Sequence, residues 1–202
     1  MALREKYLEH DTGVLWETIE ANPFGTVIGI SARDPRVAHV PFRLQRAGGT
    51  LGTLQGHVAT TNPIAADLSG RLLVVFGGPH AYISPRWYSD ANRVPTWNYV
   101  AVHVRGRGRL VTSEAHQDKL MDELVASFEP GSEGWKRSRL SEEQYRSRLK
   151  AIQPFELEIE ELEGVFKLSQ DKGVTDQLAV VAGLEREANQ PALIERMKRR
   201  QK

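Results

Sequence analysis

The chain has 202 residues, 40 % hydrophobic and 26 % charged, the balance of a globular protein able to bury a core. Its 27 basic and 26 acidic residues give a formal net charge of +1, which supplies no global attraction to nucleic acid or to an anionic membrane. There is no cysteine, which excludes disulfides, thiolate metal sites, iron–sulfur clusters and cysteine nucleophiles.

The first residues, Met1-Ala2-Leu3-Arg4-Glu5-Lys6, have no apolar run behind them and do not read as a signal peptide. No stretch approaches the length of a membrane span, so the expected location is the cytoplasm. The length fits one domain over 1–184 followed by a basic tail over 185–202.

Asp11 is placed to cap a helix carrying Val14, Leu15 and Ile19 that ends at Asn22-Pro23. A strand is expected from Phe24 to Ile30. Ala38, Val40, Phe42 and Leu44 then alternate with His39, Pro41 and Arg43, which predicts one strand over 38–44. Gly48-Gly49 marks a turn, and Leu51 to Val58 the next strand. Asn62 suits an N-cap, Pro63 the first helical position and Gly70 the position past the end, so a short helix over 62–69 is expected. Arg71 to Phe76 reads as a buried strand and 77–95 as a long loop rich in Gly, Pro and aromatic residues.

Thr96 to Leu110 reads as a long strand. Ser113 heads a helix with Leu120, Met121, Leu124, Val125 and Phe128 on one face. Ser141 and Gln144 form a capping box for a helix bearing Tyr145, Leu149 and Ile152. Strands are expected over 155–160 and 165–169, and a helix over 174–184. Arg196, Lys198, Arg199, Arg200 and Lys202 make the tail basic, and it reads as a solvated helix end. Strands with helices concentrated in the C-terminal half predict an α+β fold with a mostly antiparallel barrel or sheet. No G-x-G-x-x-G or Walker A run supports a dinucleotide fold or a P-loop.

Four segments carry candidate chemistry. The run His57 to Pro63 places Thr60, Thr61 and Asn62 just before a helix start, where unpaired backbone N–H groups favour an anion such as a phosphate; a plain capped helix is the competing reading. The run Gly77 to Tyr88 brings His80, Tyr82, Trp87 and Tyr88 together, suited either to a flat ligand ring or to local packing. In Val94 to Tyr99, Trp97 and Tyr99 share one side of a strand. Asn98 on the other side offers both a donor and an acceptor. In Phe166 to Gln170, Lys167 and Ser169 share a face, and Lys167 is placed to meet a phosphate or an electron-rich ring edge. His39, His57, His80 and His103 show no metal-ligand spacing, so no metal site is expected; spacing does not bear on a single axial haem ligand. No G-x-S-x-G supports a serine nucleophile.

Taken in order, the runs His39-Val40-Pro41-Phe42, Leu51 to Pro63, Val74 to Tyr88, Val94 to Gly106, Phe166 to Gln170 and Gly173 to Leu184 resemble the PaiB-like family of FMN-binding negative transcriptional regulators. The resemblance implies a split β-barrel of the FMN-binding, pyridoxamine-phosphate-oxidase-like type with flanking helices. It also implies a homodimer with FMN in clefts between the subunits. The implied cofactor residues are His39, His57, Thr60, Thr61, Asn62, Trp97, Asn98, Lys167, Ser169 and Gln170. One departure stands out: the family's aromatic-Lys-Leu-Ser-Gln-Asn run has Asp171 in place of its last residue, a poor neighbour for a phosphate.

The resemblance implies a transcriptional or metabolic regulator. A flavin-dependent oxidoreductase or flavin reductase and a haem-binding split barrel remain alternatives, so FMN is the expected cofactor and haem its competitor. Whether the flavin is catalytic or sensory is open. No recognition helix accompanies the neutral charge, so direct DNA binding is not expected, nor is a membrane partner.

Overall fold

The computed structural model describes residues 5–30, 34–47, 49–90, 92–188 and 190–200. The N-terminal tetrapeptide, Gly48 of the expected turn and Lys202 of the basic run lie outside the described residues.

Among these residues one eight-stranded sheet forms. Its strands are β1 (Leu8–Glu9), β2 (Phe24–Gly29), β3 (Val37–Pro41), β4 (Arg43–Gln45), β5 (Thr53–Ala59), β6 (Arg71–Ile83), β7 (Thr96–Leu110) and β8 (Ile152–Lys167). The hydrogen-bonded order is β3-β2-β6-β7-β8-β5-β4, with β1 paired to β8. The β2–β3, β2–β6, β4–β5, β5–β8 and β1–β8 pairs are antiparallel. The helices are α1 (Thr12–Ala21), α2 (Glu114–Phe128), α3 (Glu142–Lys150), α4 (Val174–Glu187) and α5 (Pro191–Arg200). The α+β class and the C-terminal bias of the helices agree with the sequence pattern.

By its contacts the chain divides into two compact units. One comprises Met1–Leu15, Gly77–Val102 and Glu163–Lys202, and the other Trp16–Phe76 and His103–Leu162. In the second, Phe42 meets Phe76 and Phe155 edge-on, with centroids 5.7 and 5.9 Å apart, and all three rings are buried. Such offset aromatic contacts add directional preference to a core already favoured by area burial. In the first, Ile83, Val100, Val102, Val165, Leu184, Leu193 and Met197 are buried.

Several expected boundaries move, each for a visible reason. The single strand over 38–44 breaks at Phe42, whose ring enters the core, leaving β3 and β4 as separate strands. The long loop shortens, because β6 continues through Gly77 and Gly78 to Ile83. Gly78 lies against Val100, where an added Cβ would stand 3.0 Å from the valine Cβ. The two strands expected after Ile152 are one, β8. It passes Leu15 so closely at Gly164 that a Cβ there would lie 2.3 Å from the leucine Cδ2. The basic tail is a packed helix: α5 turns its charges outward but buries Leu193, Ile194 and Met197. Elsewhere the local signals hold. Asp11 Oδ1 accepts the Val14 N–H at 3.0 Å, and the Ser141–Gln144 capping box closes both its bonds.

Candidate functional site

In the second unit, β5 carries His57, half-buried, with a buried Nδ1 that makes no hydrogen bond among the described residues. Burial pushes its pKa below the usual histidine value, so the ring is neutral at neutral pH. Thr60 follows, its backbone N–H and hydroxyl both directed to the Ala151 carbonyl at 3.0 and 3.3 Å. Thr61 is exposed. Asn62 is the N-cap as expected, its Oδ1 accepting the Ile64 N–H at 3.1 Å.

The short helix expected over 62–69 is a five-residue 3-10 helix, Pro63–Asp67, and stops short of Ser69. A single 3-10 turn aligns few peptide dipoles, and Asn62 Oδ1 and the Thr60 hydroxyl are already engaged. The anion-ready start is therefore weaker than its sequence implies. His39 lies on β3, exposed, with its ring stacked on Phe24 at 6.1 Å.

In the first unit, the residues singled out from two distant sequence runs converge. Asn98 on β7 is 1 % exposed. Its Nδ2 donates to Ser169 Oγ at 2.9 Å and reaches Met197 Sδ on α5 at 3.6 Å. Ser169, just past the end of β8, holds φ at 64°, the left-handed region that costs a non-glycine residue free energy. Such strain persists where surrounding contacts over-determine it, and it concentrates at functional sites.

Lys167 is no solvated lysine either. Its Nζ donates to Thr96 Oγ1 and to the Trp97 carbonyl at 2.6 and 2.5 Å, and burial lowers its pKa. Two of its three donors are thereby engaged. Gln170 plays a different part. Its amide donates to the Phe166 and Lys6 carbonyls and accepts the Leu168 N–H, which shapes the turn that carries Ser169.

Lys167, Ser169, Thr96 and Asn98 line a cavity of about 260 Å³, together with Tyr88, Arg93, Lys172 and Asp171. Sequence reasoning flagged Tyr88 only as part of an aromatic run, and passed over Arg93 and Lys172, whose spacing carries no signal. The Tyr88 hydroxyl is buried beside Ser169 without a hydrogen bond of standard geometry, and burial raises its pKa. Asp171 is less hostile to an anion than its charge implies. Burial opposes its ionisation, but Lys172, 2.7 Å away, outweighs burial and holds the carboxyl below the usual range. Beside these residues in sequence, Trp97 is 54 % exposed, with His80 at 6.2 Å and Tyr82 at 6.1 Å between ring centroids.

This combination of cations, hydroxyls and an exposed aromatic cluster invites comparison with known proteins. The family model described as "Putative FMN-binding domain" matches residues 1–161. The chain belongs to that FMN-binding family. The Bacillus subtilis protein named protease synthase and sporulation protein PAI 2 is 34 % identical over 183 residues, 87 % of this chain and 84 % of the relative. Among solved structures, the flavocytochrome Anf3 from Azotobacter vinelandii superposes with a TM-score of 0.64 at 17 % identity, over 81 % of this chain and 72 % of its own. The FAD and heme binding protein from Mycobacterium smegmatis gives 0.61 at 15 % identity, over 86 % and 79 %. These likenesses place this FMN-binding domain in the split-barrel fold class.

The residues fit a flavin. The cavity falls just short of the roughly 300–1,000 Å³ usual for a whole ligand site, so it suits one part of an FMN molecule. Its orphaned Tyr88 hydroxyl and the spare Lys167 donor are groups a bound ligand would satisfy.

Proposed function

We propose that this chain binds FMN as a homodimer and acts as a flavin-dependent regulator. The observation that carries the reading is Lys167, held by Thr96 and the Trp97 carbonyl at the wall of a cavity that also presents Ser169, Tyr88 and Asn98. These residues would hold one polar end of the flavin, and Trp97 would lie along its ring. His57, Thr61 and Asn62 are separate candidates to meet a polar group of the cofactor. When bound, the flavin supplies reversible electron transfer. The protein's part is to orient it, exclude water and set the charge beside it.

The dimer is supported by exposed apolar groups, Tyr82 at 46 % and Trp97 at 54 % with their rings 6.1 Å apart, and Val94 at 73 % just before β7. A regulatory role is supported by the likeness to the Bacillus protein named for protease synthesis and sporulation. The net charge of +1 argues for an indirect effect rather than direct operator binding in the cytoplasm.

Purified protein stripped of ligand and titrated with FMN should quench flavin fluorescence at micromolar levels and sediment as a dimer. Failure of FMN to bind would overturn the cofactor reading, and a monomer that still binds FMN would overturn only the dimer. Rapid multiple-turnover reduction by NADH or NADPH would replace the regulator with an oxidoreductase. A haem reading has one observation in its favour, the neutral His57 ring with an unbonded Nδ1. A sharp Soret band with haemin, and no FMN binding, would select it.

A further inference from the structure

The outward face of β7 and β8 carries a ladder of opposite charges. Arg105, Arg107 and Arg109 alternate along β7, and Glu156, Glu158 and Glu160 along β8. One rung closes within the ladder, where Arg109 Nη2 meets Glu156 Oε2 at 2.5 Å; Arg105 lies instead 3.8 Å from Glu161, and Glu160 takes Arg71 of β6 at 3.0 Å.

The middle rung stays open. Among the described residues the side chains of Arg107 and Glu158 make no hydrogen bond or ion pair, with each other or with another group. They line a cavity of about 330 Å³ with Gly49, Thr53, Gly108, Arg109 and Glu156.

The site is built on a rigid base. Glu156 is 7 % exposed and triply held, by Arg109, by His116 Nε2 at 3.0 Å and by the Gln55 amide at 3.0 Å. The two strands approach closely at this point, since a Cβ on Gly106 would lie 1.9 Å from the Glu158 carbonyl oxygen. Gly49, with φ at 73°, lies beside the Glu158 carboxylate.

A guanidinium presents a fork suited to a carboxylate, and a carboxylate accepts from an ammonium. From this we infer that the cavity between β7 and β8 binds a small zwitterion of the α-amino-acid class, its carboxylate on Arg107 and its ammonium on Glu158. A ligand of net zero charge leaves the ladder balanced, whereas a simple anion or cation would leave Glu158 or Arg107 unpaired. The cavity shares no lining residue with the flavin cavity and gives the protein a second ligand to respond to.

The free L-amino acids, tested one at a time at millimolar concentration by thermal shift and calorimetry, decide the matter. Acetate, methylammonium and N-acetylated amino acids serve as half-charged probes. At least one amino acid should bind, the half-charged probes should not, and Arg107→Gln and Glu158→Gln should each weaken binding roughly tenfold or more, the loss of one charge-assisted hydrogen bond. FMN binding should be unchanged in both variants, which shows that they fold. The inference fails if no amino acid binds, if binding survives both substitutions, or if acetate or methylammonium binds as well as the zwitterion. Should a variant not fold, the comparison of whole and half-charged probes on the unsubstituted protein still decides.

Discussion

Asn98 and Ser169, 71 positions apart, face each other in the buried wall of the cationic cavity, with Asn98 Nδ2 donating to Ser169 Oγ at 2.9 Å. The contact joins the middle of the chain to the turn after β8, and it holds Ser169 at a positive φ of 64°. A buried amide that loses its partner carries the full desolvation cost, about 1–3 kcal/mol. Ser169→Ala keeps the backbone strain and removes the hydroxyl, so it should destabilise by about that amount in denaturant unfolding. Ser169→Gly removes the same hydroxyl but relieves the left-handed strain, worth about 1–2 kcal/mol. The glycine variant should therefore be the more stable of the two. Equal stabilities would mean that the left-handed conformation costs nothing here.

Lys167 tests the cofactor site. Burial already disfavours its charge, and a bound anionic or electron-rich group would restore it. Lys167→Met keeps the stem and removes the donor. FMN affinity should fall about tenfold to a hundredfold, as for a lost charge-assisted hydrogen bond of about 1.5–3 kcal/mol. Gln170→Ala should instead act through the turn that its amide braces, lowering stability along with affinity. Unaltered FMN binding by the Lys167 variant, measured by fluorescence quenching, would remove this lysine from the site.

These residues also mark how far the sequence could be read. The runs 94–99 and 166–170 were legible as candidates because each combines residue types that packing alone does not require. Their convergence was not, since nothing local in either run specifies a partner 71 residues away. The capping box at Ser141 and the N-cap at Asp11 were legible because caps depend only on neighbours within one turn. The length of the helix over 62–69 was not legible, for the opposite reason. A cap and a proline specify a start but not how many turns follow, and five residues are too few for the α form to outcompete the 3-10 form. The tail's helix was legible but its packing was not, because its five basic residues mask the spacing of Leu193, Ile194 and Met197, which shows as a face only once α4 supplies a surface to bury it. Arg107 and Glu158 looked like any solvated charges. Their distinction is the missing partner, which only geometry reveals.

Gly106 and Gly108 set how closely β7 approaches its surroundings. A Cβ would lie 1.9 Å from the Glu158 carbonyl oxygen at the first and 2.0 Å from the Leu68 carbonyl oxygen at the second. Both obstacles are backbone and cannot rotate away. Gly106→Ala and Gly108→Ala should each destabilise by about 1–3 kcal/mol or more, since an inserted methyl in a tight contact forces the backbone to shift. Thermal melts of the two variants check this, and an unchanged melting temperature would show that the strands separate freely.

Acid stability should centre on Asp118. Arg146 clamps it with bonds of 2.8 and 2.7 Å, Tyr145 donates at 3.0 Å, and the carboxyl is held below the usual aspartate range, first by the Arg146 hydrogen bonds. The same pairing, after burial, pushes the Tyr145 phenol up to about 12. Asp118 is 21 % exposed, so screening trims the gain only in part. Because its folded pKa lies below the unfolded value of about 3.9, its contribution is complete above that pH and is lost as the pH falls through the folded value. His57 acts in the same direction at higher pH. Its folded pKa is also depressed, so its contribution is present above about 6.5 and fades as the medium acidifies through the folded value. Asp118→Asn should cost about 1–2 kcal/mol at pH 7, from the weakening of charge-assisted bonds to neutral ones. The difference between the variant and the unsubstituted protein should shrink toward zero as the pH drops below 3.9. Urea unfolding from neutral pH downward measures both curves; a gap that stays constant with pH would show that the Asp118 charge contributes nothing and that only its shape matters.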